Sequence, residues 1–340
     1  MKPLVVGRLA PSPTGAQHLG NARTYLIAWL AARAAGGKVV LRIEDIDSPR
    51  VKPWAKQQAM DDLAWLGIDW DLGPDRPYGD SFAGVHQYQQ TERLARYREG
   101  LEALKNADKI YPCTCTRNDI EQSASAPHRI EGENAWVDGP VYPGTCSSRH
   151  ALNHGLADSA QFAWRFRCDT GTIDWIDGFA GPQTLDAADM LGDFVVGKKE
   201  GWPAYQLAVV MDDHDMQVSM VVRGADLIPS TYRQLMLYRF FGWDPPQFFH
   251  VPLVVGSDGK RLAKRHGDTR LATFREKGID PQEIVGWLAL GCGWIDTFTP
   301  LTPAELIPLF QWQSIPPHNL ICRSDLFDFC NDLPRFENHA

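Results

Sequence analysis

The first fifty residues alternate apolar runs with polar turns, and the pattern predicts a strand, a helix and a second strand. Residues 4–9, LVVGRL, form an apolar run of strand length. Residues 21–35 carry Leu26 and Leu30 at helical spacing with Asn21 near the start, and Gly36 and Gly37 end the helix. Residues 38–47, KVVLRIEDID, are rich in β-branched side chains and read as a strand. A βαβ unit of this length predicts a parallel sheet in an α/β fold. The loop after the first strand then lies at the carboxyl end of the sheet, where open α/β sheets bind ligands. It contains no GxGxxG, so a dinucleotide site has little support.

Helical patterns follow over 54–66 and 87–106. From 107 to 190 the chain changes character, becoming rich in Ser, Asn and Gly over 117–160, and this stretch reads as an insertion between two halves of the sheet. Apolar patterning returns at YQLAVVMDD (205–213) and VSMVVRGADLI (218–228), both read as strands, and then at a helix carrying Leu235, Leu237 and Tyr238. From 271 the pattern is helical, with Pro-rich breaks over 300–317.

Composition narrows the class. With 340 residues, 44% hydrophobic and 22% charged, the chain is an ordinary globular protein of about two domains. No apolar run reaches membrane-spanning length, and the N-terminus lacks a signal-peptide core, so a cytoplasmic location is expected. Seven cysteines, an odd number, favour reduced thiols or a metal site over a disulfide framework. The net charge of −8 argues against non-specific coating of nucleic acid but leaves room for a local basic patch.

Three stretches carry candidate chemistry. In GRLAPSPTGAQHLGN, Arg8 ends the first strand, Ser12, Thr14 and His18 line the turn, and Gly20 permits close approach to the backbone at a helix N-terminus. A phosphate site and a merely capped turn both suit this loop. In GSDGKRLAKRHGDTR (256–270) a turn opens a run that holds six Lys or Arg and one acid between Lys260 and Arg275. It suits closure over a polyphosphate, or it is a solvated basic loop. In YPCTCTR and VYPGTCSS, Cys113 and Cys115 form a C-x-C pair and Cys146 follows 31 residues later, leaving one position of a tetrahedral Zn²⁺ site to fill. The acidic MDDHDM (211–216) is read as orienting its neighbours rather than as catalytic.

The ordered stretches APSPTGAQHLGNART, LRIEDID, YQLAVVMDD, VVRGADLI and GKRLAKRHG resemble the glutamyl branch of class I aminoacyl-tRNA synthetases from about residue 5 to 275. HLGN resembles the HIGH signature, departing at Asn21. RLAKR resembles KMSKS, departing at Arg261 and Ala263 and keeping Lys264. The resemblance implies a Rossmann-like catalytic domain whose first half is 1–106 and second half 191–270, a zinc-bearing insertion over 107–190, and a helical stem-like segment over 271–340 without a full anticodon module. It implies His18 and Lys264 as catalytic groups and His18, Gly20, Asn21, Arg261 and Lys264 around ATP, which binds with Mg²⁺. It places L-glutamate against Arg8, Leu9, Ala10, Pro11, Ser12, Glu44, Tyr205 and Arg223, with Glu44 on the ammonium and Arg223 on the side-chain carboxylate. An Arg at the end of a core strand can equally pair with a structural carboxylate.

Ordinary bacterial members often supply a His two residues after the third Cys, where this chain has Ser148. Tyr142, four residues before Cys146, resembles instead the truncated branch of the family, with Cys113, Cys115, Tyr142 and Cys146 holding a structural Zn²⁺. His150 competes for the fourth position. That branch activates glutamate and transfers it to queuosine in the anticodon stem-loop of tRNA(Asp). An ordinary member charging the 3′ end of tRNA(Glu) is the alternative, favoured by PSPTG, NART and KRHG. A non-catalytic tRNA- or zinc-binding scaffold is a third reading. A monomer without membrane association is expected.

Overall fold

The computed structural model describes residues 3–13, 15–46, 51–76, 84–124, 141–153, 155–157, 160–187, 191–199, 201–260, 262, 269–322 and 336–337. Thr14, Arg261, Ala263 and Lys264 lie outside the described residues.

β1 (Val6–Leu9), α1 (Leu19–Ala34) and β2 (Lys38–Leu41) form the predicted unit, and β1 pairs with β2 in parallel, Arg8 opposite Val40. All four residues of β1 are buried, Arg8 among them, which fits a strand of a parallel sheet covered on both faces. Gly7 is what lets α1 lie so close on this strand. A Cβ there would stand 2.8 Å from the Cβ of Ala32. β2 ends at Leu41, shorter than the stretch to 47 expected from sequence. Beyond it the chain leaves the strand ladder, and Ile43 bridges Gln89.

α2 (Ala55–Trp65) and α3 (Leu94–Asn106) follow, the latter preceded by a 3₁₀ turn at Gln90–Arg93 rather than starting near 87. β3 (Ile110–Cys113), α4 (Arg117–Ala124), β4 (Ala163–Phe166), β5 (Thr172–Asp177), β6 (Gly181–Asp186) and β7 (Phe194–Gly197) come next. β3, β4 and β7 make an antiparallel sheet, and β5 and β6 a hairpin.

α5 (Tyr205–Asp215) is a helix, which corrects the strand expected over 205–213. Its residues from Gln206 to Asp213 are all buried. An element buried all round has no polar face, so its apolar run carries no period to separate helix from strand. β8 (Met220–Gly224) is shorter than the predicted 218–228, because a 3₁₀ turn at Ala225–Leu227 leads into α6 (Ile228–Phe241). β9 (Gln247–Val251), β10 (Val254–Gly256), α7 (Leu271–Glu276), α8 (Pro281–Gly291) and β11 (Leu320–Cys322) follow along the chain.

The main sheet runs β2-β1-β8-β9, all parallel. Alternate residues of its strands enter two cores. Val39, Leu41, Val222 and Phe249 pack with α1 and α8, whereas Val40, Val221 and Phe248 pack with α3, α5 and α6. Covering both faces is what an all-parallel sheet requires. The chain leaves β1 toward β2 on one side and places β8 on the other, so the strand order reverses at β1. A crevice opens there at the carboxyl ends. Among the described residues no helix is long and apolar enough to cross a membrane.

Candidate active site

The crevice holds a cavity of about 460 Å³. Arg8, Ala10, Ser12, His18, Gly20, Asn21, Glu44, Tyr205 and Arg223 all line it, so four separate stretches of sequence converge on one space. Leu9 is buried in the core instead, and Pro11 contributes a carbonyl that accepts from the Glu44 amide at 3.0 Å. Sequence reading missed Gln17, Thr24, Tyr25 and Asp226 in the lining. Thr24 and Tyr25 sit one turn beyond Gly20 and Asn21, a spacing that marks them as their helical neighbours.

His18 is the N-cap of α1. Its Nδ1 accepts from the Gly20 amide at 3.2 Å, and the Asn21 side-chain Oδ1 accepts from the His18 amide at 3.2 Å. Asn21, the departure from the HIGH pattern, thereby closes a capping box. With Nδ1 committed as acceptor, the neutral ring carries its proton on Nε2 and can donate from there. The turn is capped, and such a cap is compatible with a phosphate site at the same helix N-terminus.

The basic loop is tied to this turn. The Leu19 amide donates to the Thr269 carbonyl at 3.0 Å, and the Leu271 amide donates to the Gln17 carbonyl at 2.9 Å. At its other end Gly259, with φ of 70°, turns the chain after β10, and Val254 and Leu262 line the cavity. Both ends of the stretch containing Arg261 and Lys264 are thus anchored at the crevice.

Under the cavity lies a buried ionic network. The fully buried Arg42 donates to Glu44 Oε1 at 2.8 Å and to Asp213 at 2.6 Å, and lies 3.6 Å from Asp212. Burial works against its charge, but Asp213, Glu44 and Asp212 hold its pKa well above the ordinary value. Arg8 stands 3.4 Å from Asp213. Asp212 also takes Arg93, Gln90 and Tyr97. The acids of MDDHDM therefore orient neighbours, as read from the sequence, although from a helix rather than the end of a strand. Arg42→Ala would strand these carboxylates and is expected to cost about 3–5 kcal/mol in urea unfolding. Burial raises the pKa of Glu44, against Arg42 and Arg8. Arg42 takes only its Oε1, leaving the other oxygen for a cationic ligand.

Arg223 differs from these cations. It is 4% exposed, and its partners are neutral: Nε donates to His250 Nε2 at 2.9 Å, and one terminal nitrogen donates to Thr231 Oγ1 at 2.7 Å and Gln234 Oε1 at 2.9 Å. The other terminal nitrogen has no hydrogen-bond partner among the described residues. Burial pushes its pKa down, and no carboxylate pairs with it among the described residues. The structural carboxylate that could have paired with it is not found among the described residues. A buried guanidinium with a free donor beside a cavity is suited to an anionic ligand.

The cysteines form a second cluster, away from this cavity. The sulfurs of Cys113, Cys115 and Cys146 lie within 4.8 Å of one another, with Cys115 and Cys146 at 3.7 Å. Tetrahedral zinc with bonds of about 2.3 Å spaces its sulfurs about 3.8 Å apart, so the donor set fits. The Tyr142 hydroxyl is 3.4 Å from Cys113 and 3.7 Å from Cys115. His150 is 66% exposed and bonds Asp108 at 2.7 Å through Nδ1, which turns it to a different partner.

A parallel sheet with a cavity lined by Arg8, His18, Glu44 and Arg223 at its switch point places charged groups where open α/β sheets bind ligands. This is compatible with the class I synthetase architecture. The chain belongs to that family: residues 4–300 match the group described as tRNA synthetases class I (E and Q), catalytic domain. It is 52% identical to a glutamyl-Q tRNA(Asp) synthetase of Rhodopirellula baltica, covering 85% of each chain. It is 47% identical to one of Symbiobacterium thermophilum, covering 92% of this chain and 94% of that one. Among solved structures it resembles a glutamate tRNA ligase from Elizabethkingia meningosepticum, with TM-score 0.77 and 28% identity. That match covers 93% of this chain and 66% of the ligase.

Proposed function

We propose that this chain activates L-glutamate with ATP and transfers the glutamyl group to queuosine in the anticodon of tRNA(Asp). The observation that carries the amino-acid half is Arg223, a buried cation with neutral partners and a free donor at the cavity. Arg223 takes the side-chain carboxylate of glutamate, and Glu44 takes the ammonium. The α-carboxylate oxygen then attacks the α-phosphorus of ATP, and the bond to the β-phosphate oxygen breaks with release of pyrophosphate. Transfer to a queuosine hydroxyl releases AMP. Mg²⁺, when bound with ATP, would supply neutralisation of phosphate charge. The protein's part is to position both reactants and to donate to the phosphates from His18 and Lys264. Similarity to the relatives from Rhodopirellula and Symbiobacterium along most of their lengths supports the acceptor half.

Glutamate-dependent ATP–pyrophosphate exchange without any RNA tests the activation step. His18→Asn keeps a capping side chain but removes the ring donor. It is expected to slow exchange by about 10²-fold at an unchanged melting temperature, the scale of losing one transition-state donor. Exchange at the wild-type rate in this variant would remove the phosphate role from His18.

Cys113, Cys115, Cys146 and Tyr142 are the residues that would hold zinc, and His150 is left out of our assignment because neither of its ring nitrogens joins the cluster of ligand atoms formed by the three sulfurs. Four protein donors leave no open position, so the ion would be structural, joining β3 to the 142–146 segment. Purified protein is expected to carry one zinc per chain, and Cys146→Ser to lose it in metal analysis. Full occupancy in that variant would refute the ligand set.

A further inference from the structure

Arg223 is held by groups that carry no charge, and the way one of them is fixed suggests a second layer to the site. His250 lies beside it on β9, in register with Arg223 on β8, and is 1% exposed. Its Nδ1 is 2.6 Å from Asp177 Oδ2, at the end of β5. Its Nε2 receives the Arg223 Nε–H at 2.9 Å. An arginine only donates, so Nε2 must present a lone pair, and the ring proton must sit on Nδ1, facing the carboxylate. We propose that Asp177 and His250 are a positioning pair for substrate specificity: Asp177 fixes the His250 tautomer, and His250 aims the guanidinium of Arg223 at the side-chain carboxylate of glutamate.

The physical case rests on where the negative charge is placed. A carboxylate directly on Arg223 would orient it equally well but would neutralise it, and the substrate carboxylate would have to compete. An imidazole between the two passes on orientation without the charge. The same economy appears on the other edge. Gln234 accepts from Arg223, donates to Gln206 at 3.0 Å, and Gln206 donates to Ser230 at 3.0 Å, so the amide that faces Arg223 is locked as an acceptor. Every group that orients Arg223 is neutral. Burial holds His250 below its ordinary pKa, at about 4, consistent with this arrangement near neutral pH.

The inference rests on the glutamate reading above. Its test is exchange kinetics of the full chain with glutamate and ATP varied separately, for His250→Ala, His250→Gln and Asp177→Asn. His250→Ala removes the acceptor and is expected to raise the glutamate KM by about 10-fold or more, with the ATP KM unchanged and kcat moved less. His250→Gln supplies a carbonyl acceptor and is expected to recover most of that loss. Asp177→Asn keeps an oxygen for the Phe179 and Ala180 amides that Asp177 now caps. It also offers an N–H to Nδ1, which permits the wrong tautomer, so the glutamate KM is expected to rise as in His250→Ala. A wild-type glutamate KM in both His250→Ala and Asp177→Asn overturns the proposal. So does a loss shared equally by glutamate and ATP that tracks the melting temperature, because that marks a purely structural role. A wild-type chain without exchange would overturn the glutamate reading and this inference together, whereas active wild type with unaffected variants overturns the inference alone.

Discussion

Arg223→Ala is expected to lower kcat/KM for glutamate in ATP–pyrophosphate exchange by about 10³-fold, the scale of truncating one side of a desolvated, hydrogen-bonded charge pair. The melting temperature is expected to change little. Removing a buried guanidinium that no carboxylate pairs with among the described residues relieves desolvation, and this offsets the three lost hydrogen bonds to His250, Thr231 and Gln234. A loss of function with stability retained is the signature of a residue placed for a ligand rather than for the fold. The variant also bears on discrimination. Wild type is expected to reject glutamine, because its amide leaves Arg223 without a charged partner in the cavity. In Arg223→Ala the preference for glutamate over glutamine should largely vanish. Comparable exchange with both amino acids in the wild-type protein would defeat the assignment.

The contrast between Arg223 and Arg42 shows what the sequence could and could not supply. Both follow a β-branched apolar stretch, KVVL before Arg42 and MVV before Arg223. Their difference is set by residues far along the chain: Asp213 lies 171 positions from Arg42, while Arg223 meets His250 from the next strand, itself held by Asp177 from the hairpin. Local features were legible. The cap at His18 and Asn21, the turn at Gly36 and Gly37, and the β1–α1–β2 unit depend on neighbours within a few residues. The C-x-C pair was legible for the same reason, but the approach of Tyr142 to the sulfurs is a contact across 29 residues that no local pattern encodes. YQLAVVMDD failed because burial on every side erases the polar face that reveals a helix, and with it the position of Asp212 and Asp213 beneath the cavity.

The acceptor gives the second large effect. Incubated with ATP and labelled glutamate, the protein is expected to glutamylate tRNA(Asp) that contains queuosine and to leave tRNA(Asp) without queuosine, and tRNA(Glu), unlabelled. With a net charge of −8 the chain repels RNA at long range, so binding has to come from a local surface. The run from Lys260 to Arg275 is the expected one, since both flanks of its loop are tied to the crevice and its positive charges would meet backbone phosphates where the adenylate forms. Such contacts position RNA without reading its sequence, so apparent affinity should fall steeply between 50 and 200 mM salt (on the order of those concentrations) for any tRNA. Selection then falls to the modified base, whose hydroxyl must reach the activated carbonyl. The product has to be located by nuclease digestion, because periodate attacks queuosine's own diol as well as a terminal ribose. Label recovered at the anticodon nucleotide of tRNA(Asp) would support the reading, whereas label at the 3′ end of tRNA(Glu) would replace it with ordinary charging by the same glutamate site.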